Sequence, residues 1–353
     1  MAITRLVKMD KIKVVYILNH APNYRDVFLR ELGKYVDLTV VSFSGAPIKL
    51  KDPDQRTGYK FIELKQKMIF GISYQVKEFT TLTGDYDVLI IGFDTHRPLR
   101  FLNLLRNKRV IFAGLIYGRN QRSFMTKIVR KSILSHAEGV LVYSEFVKER
   151  LSQEISKPII SFNNTSFNMN DIQPLPFNFK EGELNLIWVG RYKKIKKIES
   201  LIELARKYPN INLRLIGPSL EENILLNEAD RNISIFPEVY ESDLIEHFKW
   251  SDAVFSPGHI GLFVMNVARY GRPIFIDSKT RHAPEVQLAK DAGQIFLDFE
   301  DKCEVDNLIK RCLTDREYLV KQGARFANVM KGKYTVEYMA QQFLKAIEGK
   351  WDN

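Results

Sequence analysis

Leu186-Ile187-Trp188-Val189-Gly190 runs directly into Arg191-Tyr192-Lys193-Lys194-Ile195-Lys196-Lys197. Four consecutive apolar residues read as a strand buried on both faces, as in a parallel sheet, because no position is left for a solvated side. Glycine closes the strand, and one Arg and four Lys crowd the turn ahead of the amphipathic stretch Lys197–Tyr208. Cations gathered at the carboxyl end of a strand, before a helix, suit a diphosphate. Arg can grip two phosphate oxygens at once, whereas Lys acts as a point charge.

The same strand-then-helix beat extends in both directions. Downstream, strands are expected at Asn212–Gly217, Ile233–Phe236, Ala253–Ser256, Pro273–Ile276 and Gln294–Phe296. The helices between and after them are Glu241–Trp250, Leu262–Tyr270, Val305–Thr314 and Val336–Ile347. Upstream, strands are expected at Lys13–Asn19, Asp37–Ser42, Val88–Gly92, Val110–Ala113 and Gly139–Tyr143. Helices there are Arg25–Lys34, Arg97–Arg106 and Arg122–His136. Two such alternating sets predict an α/β protein of two facing, doubly wound, Rossmann-like domains. The Asn-, Ser- and Pro-bearing stretch Phe162–Phe179 reads as the linker. The expected division is 1–170, 171–335, and a C-terminal helix and tail over 336–353. Open parallel sheets bind ligands at their strands' carboxyl ends, so the active site is expected in the interdomain cleft.

The chain has 353 residues, 45% of them hydrophobic, which suits two domains with real cores and excludes global disorder. No apolar run approaches the ~20 residues of a membrane helix, and Met1–Asp10 lacks the apolar stretch of a leader. Two cysteines, Cys303 and Cys312, are too few for a disulfide scaffold or a four-ligand zinc site, and a cytoplasmic setting is expected. The charge is uneven: residues 1–175 carry 27 Lys+Arg against 16 Asp+Glu, and residues 176–353 carry 26 of each. A basic half beside a neutral half suggests different partners, with an anionic membrane surface or a phosphorylated substrate ahead of nucleic acid. No dinucleotide glycine fingerprint, P-loop, H-E-x-x-H or G-x-S-x-G is present. Asp52-Pro53-Asp54 and Asp85-Tyr86-Asp87 could hold a cation, but each fits a turn better.

A second segment carries chemistry. Ser256-Pro257-Gly258-His259-Ile260-Gly261-Leu262 follows a strand and opens a helix bearing Asn266, which ends at Gly271-Arg272-Pro273. Glycines let backbone N–H groups approach a ligand, and such groups at a helix start favour an anion.

Together the two segments resemble the donor domain of nucleotide-sugar glycosyltransferases of the GT-B fold, in particular glycosyltransferase family 4. Gly190, Arg191 and Lys196 match that family's strand–G-R-x-x-x-x-K. Pro257, Gly261, Leu262, Ala268, Gly271 and Pro273 keep the frame of its P-S-x-x-E-G-F-G-L-x-x-x-E-A-M-A-x-G-x-P. His282-Ala283-Pro284-Glu285 is similar to its later h-x-P-E element. The family's two glutamates fall on Gly258 and Asn266, and its H-G pair on Tyr117-Gly118.

The resemblance implies transfer of a sugar, with retention, from a UDP- or GDP-sugar to a glycan or lipid-linked acceptor. Surface polysaccharide or lipopolysaccharide assembly is the implied setting, and no metal or further cofactor is needed because cations neutralise the diphosphate. The implied donor-binding set is Gly190, Arg191, Lys196, Val239, Gly258, His259, Ile260, Gly261, Leu262, Asn266 and Glu285. Arg191 and Lys196 also count as catalytic, with His20, His96 and Tyr117 from the first half; Tyr24, Arg25 and Arg119 are expected at the acceptor. A binding partner without turnover is the alternative, and a nucleotide-sugar epimerase of the same architecture is a third reading.

Overall fold

The computed structural model describes residues 11–43, 55–65, 67–69, 72–74, 85–94, 97, 101, 109–117, 124–224, 226–239 and 241–351. The chain forms two compact units, residues 1–166 with 336–353, and residues 167–335.

In the first unit, β1 (Lys13–Ile17), β2 (Asp37–Phe43), β3 (Lys60–Leu64), β6 (Val88–Gly92), β7 (Arg109–Gly114), β8 (Gly139–Val142) and β9 (Ile159–Ser161) form one parallel sheet. Its order is β3-β2-β1-β6-β7-β8-β9, and β4 (Lys67–Ile69) and β5 (Ile72–Tyr74) form a separate antiparallel hairpin. Alternate residues feed opposite faces: Val14 and Tyr16 join one core with α1 (Asp26–Gly33), and Val15 and Ile17 join the other with α2 (Phe124–Ser135) and α3 (Glu145–Ser152). Asp85 and Asp87 serve the fold, as their turn setting suggested. Asp85 pairs with Lys13, and Asp87 accepts the Lys13 backbone N–H. Asp52 and Asp54 lie outside the described residues.

The second unit contains β10 (Leu184–Val189), β11 (Ile211–Ile216), β12 (Ile233–Phe236), β13 (Val254–Ser256), β14 (Ile274–Asp277) and β15 (Ile295–Leu297). Two parallel triplets, β10-β11-β12 and β13-β14-β15, meet through the parallel bridge of Leu186 with Ala253. The strand order β12-β11-β10-β13-β14-β15 therefore reverses between β10 and β13, the switch point of a Rossmann fold. The helices are α4 (Ile198–Lys207), α5 (Glu241–Trp250), α6 (Phe263–Arg269), α7 (Gln287–Asp291), α8 (Lys302–Thr314) and α9 (Arg316–Lys333). The doubly wound α/β class expected from the alternation is thus present in each unit.

Three features differ from the expected organisation. Helix α10 (Val336–Ile347) is not a separate tail but part of the first unit, where the Phe343 ring meets those of Tyr16, Phe28 and Phe162. Five of its apolar side chains have less than 1% exposure, more than a lone helix could bury by itself. The stretch read as a linker starts inside the core, since Phe162, Asn163, Asn164 and Thr165 are all buried. Helix α9 has no counterpart in the expected set. Gly323 within it lowers helix propensity, yet a Cβ there would lie 2.0 Å from the Gly271 carbonyl oxygen, so close helix packing requires the glycine.

Candidate functional site

The loops that leave β10 and β13 meet at the switch point. Gly217, at the end of β11, sits so close to Gly190 that a Cβ would fall 2.0 Å from the Gly190 carbonyl oxygen. At Gly258 a Cβ would fall 2.3 Å from both the carbonyl carbon and oxygen of Lys196. The His259 N–H donates to the Ile195 carbonyl at 2.8 Å. The cationic segment and the S-P-G-x-x-G-L segment, separated in sequence by residues 198–255, are therefore one backbone-packed assembly.

Its charge is one-sided. Lys197, in a left-handed conformation at φ 51°, lies 3.8 Å from Asp277 and 3.7 Å from Glu300. Among the described residues, Arg191, Lys193, Lys194 and Lys196 have no ion-pair partner given by the structure. Arg191 is exposed, while Lys196 is half-buried and its ammonium is pushed below the usual lysine range by burial and then by Lys193. An arriving anion would relieve both effects.

The glycine loop offers fewer N–H donors than expected. His259 spends its N–H on Ile195, and Ile260 donates to His282 Nδ1 at 3.3 Å. Among the described residues, the N–H groups of Gly261 and Leu262 have no acceptor given by the structure. Helix α6 has seven residues, so it offers separate donors more than a summed dipole. The loop is latched to the segment after β14: Ala283 N–H donates to Ile260 O at 3.0 Å, and His259 Nδ1 donates to Arg281 O at 2.7 Å. His282 Nε2 donates to Asp277 O at 2.7 Å. Since its Nδ1 accepts and its Nε2 donates, His282 is the neutral Nε2–H tautomer, and burial lowers its pKa accordingly.

Asn266 is half-buried on α6, Glu285 is half-buried in the turn Pro284–Val286, and Val239 packs against the second unit's core. Two buried polar groups outside the implied donor-binding set stand beside these elements. Arg272 donates to the carbonyls of Phe248, Ser251, Leu175 and Pro176, and stacks on Phe177 at 4.2 Å. Asp252 is 1% exposed, and burial raises its carboxyl to about 6. Both serve the fold. Their only sequence signal was position: Arg272 inside a helix-ending G-R-P, and Asp252 between a helix and a strand.

In the first unit, His20 is half-buried after β1, its Nδ1 3.0 Å from the Phe43 carbonyl, and Tyr24 is 40% exposed. Arg25, expected at the acceptor, is turned into the first unit. It is 5% exposed, and Nη2 donates to the Tyr143 hydroxyl at 2.5 Å. The side chain turns inward because the two tyrosine rings beside it, Tyr24 and Tyr143, give the guanidinium a cation–π setting. Tyr117 is likewise engaged: its hydroxyl lies 3.2 Å from Glu154, and Arg130 and Arg150 cover its ring. Burial pushes its phenol up to about 12, so it is neutral at physiological pH. His96 and Arg119 lie outside the described residues. Arg130 is turned inward, being 1% exposed and 2.6 Å from Glu154.

Residues 170–328 match the family model of group 1 glycosyl transferases, which bears out the resemblance over that stretch. No curated protein sequence matches the chain. Among solved structures, Anabaena Alr3699/HepE in complex with UDP and glucose is similar, with TM-score 0.65 and 13% identity over 96% of this chain and 99% of that one. A glycosyltransferase from Rickettsia africae ESF-5 has TM-score 0.69 and 14% identity, over 96% and 98%. A UDP-N-acetylglucosamine 2-epimerase has TM-score 0.57 and 15% identity, over 96% and 97%. These likenesses establish the GT-B fold of two Rossmann-like domains.

Proposed function

We propose that the chain is a glycosyltransferase that moves a sugar, with retention, from a UDP- or GDP-sugar to a glycan or lipid-linked acceptor. The family-4 type within group 1, and a role in surface polysaccharide or lipopolysaccharide assembly, belong to the same reading. One observation carries it: two loops packed backbone to backbone at the switch point of the second unit, with four cations, Arg191, Lys193, Lys194 and Lys196, for which the structure gives no carboxylate partner among the described residues. Arg191 and Lys196 would meet the leaving diphosphate as the glycosidic bond breaks. Fixed charge aimed at developing charge is often the largest catalytic contribution. In this reading the Gly261 and Leu262 N–H groups add to it, and no metal is required.

The acceptor is assigned to the basic first unit, where His20 and Tyr24 follow β1. On α2, Lys127 and Lys131 are exposed with Ile128 and Val129 between them. At roughly 1 kcal/mol per basic residue near an anionic bilayer, such a face supports reversible peripheral docking. No described helix is long and apolar enough to cross a membrane.

A non-catalytic reading has one observation in its favour: Gly258 cannot bear a carboxylate on this backbone. Thermal unfolding against UDP, GDP, CDP, dTDP and ADP tests the donor site. A ligand at 100 times its Kd adds about 2.7 kcal/mol. Stabilisation by one nucleotide, lost in Arg191→Ala, is expected. Turnover assays with the matching sugar then separate the readings. Transfer supports the proposal, binding without turnover supports the partner reading, and isomerisation of the donor sugar without an acceptor supports an epimerase.

A further inference from the structure

Apart from Asn266 and Glu285, which stand on α6 and in the turn Pro284–Val286, the groups that the two loops bring together are donors. Arg191, Lys193, Lys194, Lys196 and the N–H groups of Gly261 and Leu262 all suit phosphate oxygens. A sugar also presents hydroxyl protons, and each of these needs an acceptor. Gly258 has no room for a side chain. The nearby Asp277 carboxylate is 1% exposed and already takes the Phe299 N–H, the Thr280 hydroxyl and the Lys197 charge.

His259 lies between Gly258 and Ile260 in the same loop and is half-exposed. Its Nδ1 is 2.7 Å from the Arg281 carbonyl oxygen, which can only accept, so Nδ1 carries the proton. In the neutral ring Nε2 is then a bare acceptor, with no partner given by the structure among the described residues. The ring is held in place by that bond and by the His282 ring, 6.4 Å away and inclined by 24°. His282 is itself fixed at both nitrogens. A side chain already immobilised loses little rotamer freedom when it binds.

We infer that His259 Nε2 accepts a hydrogen bond from a hydroxyl of the donor's sugar, so that this imidazole reads the sugar while the cations read the diphosphate. The inference rests on the transferase reading of the site. It differs from a general anion-binding role because it divides the ligand in two: bare nucleoside diphosphates bypass His259, and nucleotide sugars depend on it.

Calorimetric titration with UDP, UDP-glucose, UDP-N-acetylglucosamine, GDP and GDP-mannose tests the division. The quantity read is the affinity for each nucleotide sugar relative to its own diphosphate. His259→Phe keeps a ring against His282 and removes both nitrogens. It is expected to lower that ratio roughly two- to tenfold, the range of one neutral hydrogen bond. In the wild type, 15N spectra of the imidazole should show protonated Nδ1 and bare Nε2, with Nε2 responding to the nucleotide sugar more than to the diphosphate. An unchanged ratio for every sugar overturns the inference. So does an equal loss for sugar and diphosphate, which would make His259 an anchor of the loop alone. Failure of the wild type to bind any of these diphosphates is a different result, because it removes the transferase reading on which the inference stands.

Discussion

Gly258→Ala adds a single methyl group, and its cost can be worked from the packing of two loops. Gly258 does not have a positive φ, so alanine suffers no backbone strain. The penalty is steric: the new Cβ would lie 2.3 Å from the carbonyl carbon and oxygen of Lys196 and 2.6 Å from the Ile195 carbonyl oxygen. All three are backbone atoms, which cannot swing aside as a side-chain tip can. Forced overpacking costs about 1–3 kcal/mol. Pushing the loops apart also strains the 2.8 Å bond from His259 N–H to Ile195 O, worth about 0.5–1.5 kcal/mol. The expected total is about 2–4 kcal/mol, or roughly 5–15 °C in Tm for a unit of this size. Gly261→Ala is the internal control. Its Cβ would meet only the Ala283 Cβ, at 3.7 Å, an ordinary contact. That variant should melt within ~0.5 kcal/mol of the parent on steric grounds, or slightly above it because alanine restricts the unfolded chain. Differential scanning calorimetry on both variants decides. Equal melting of the two would refute the claim that the loops are locked backbone to backbone.

Other expectations follow from buried groups. Arg272→Met should destabilise by about 3 kcal/mol or more in chemical denaturation, because buried carbonyls lose a charged donor, and Arg272→Lys should rescue little since it lacks the planar fork. Asp252 titrates at about 6 when folded, against 3.8 for the unfolded side chain, so the folded protein holds its proton longer. Stability should therefore fall as pH rises from about 4 to 6, by up to about 3 kcal/mol, and Asp252→Asn should flatten that window in urea titrations. Phe343→Ala should cost about 3–5 kcal/mol, read by denaturant unfolding, because three aromatic rings lose their common partner.

The parts most legible in the sequence were those set by period and punctuation. Leu186–Val189 ended at Gly190, and the helix of Lys197–Tyr208 followed as α4 from Ile198 to Lys207. Those signals are local. The short strands β3 and β9 were missed because three to five residues, partly polar in Lys60–Leu64, carry too little alternation to stand out. Helix α9 was missed because its glycine serves a neighbour far away in sequence. At the site, the cations could be found from composition alone. Which N–H groups are already spent, and which nitrogen of His259 is bare, depends on carbonyls 22 to 64 residues away. Arg25 shows the same limit: its position after β1 was legible, but its inward turn depends on a tyrosine 118 residues downstream.

The route of the chain has a consequence for biosynthesis. It leaves the first unit at residue 166 and returns at 336. During synthesis the second unit emerges whole before α10 exists, so it can close its core while the first still lacks Phe343, Met339 and Ile347. The unit begun first is thus completed last. Until α10 docks, an apolar face beside Phe28 and Phe162 stays open, a period in which chaperone binding or misassociation would compete with folding.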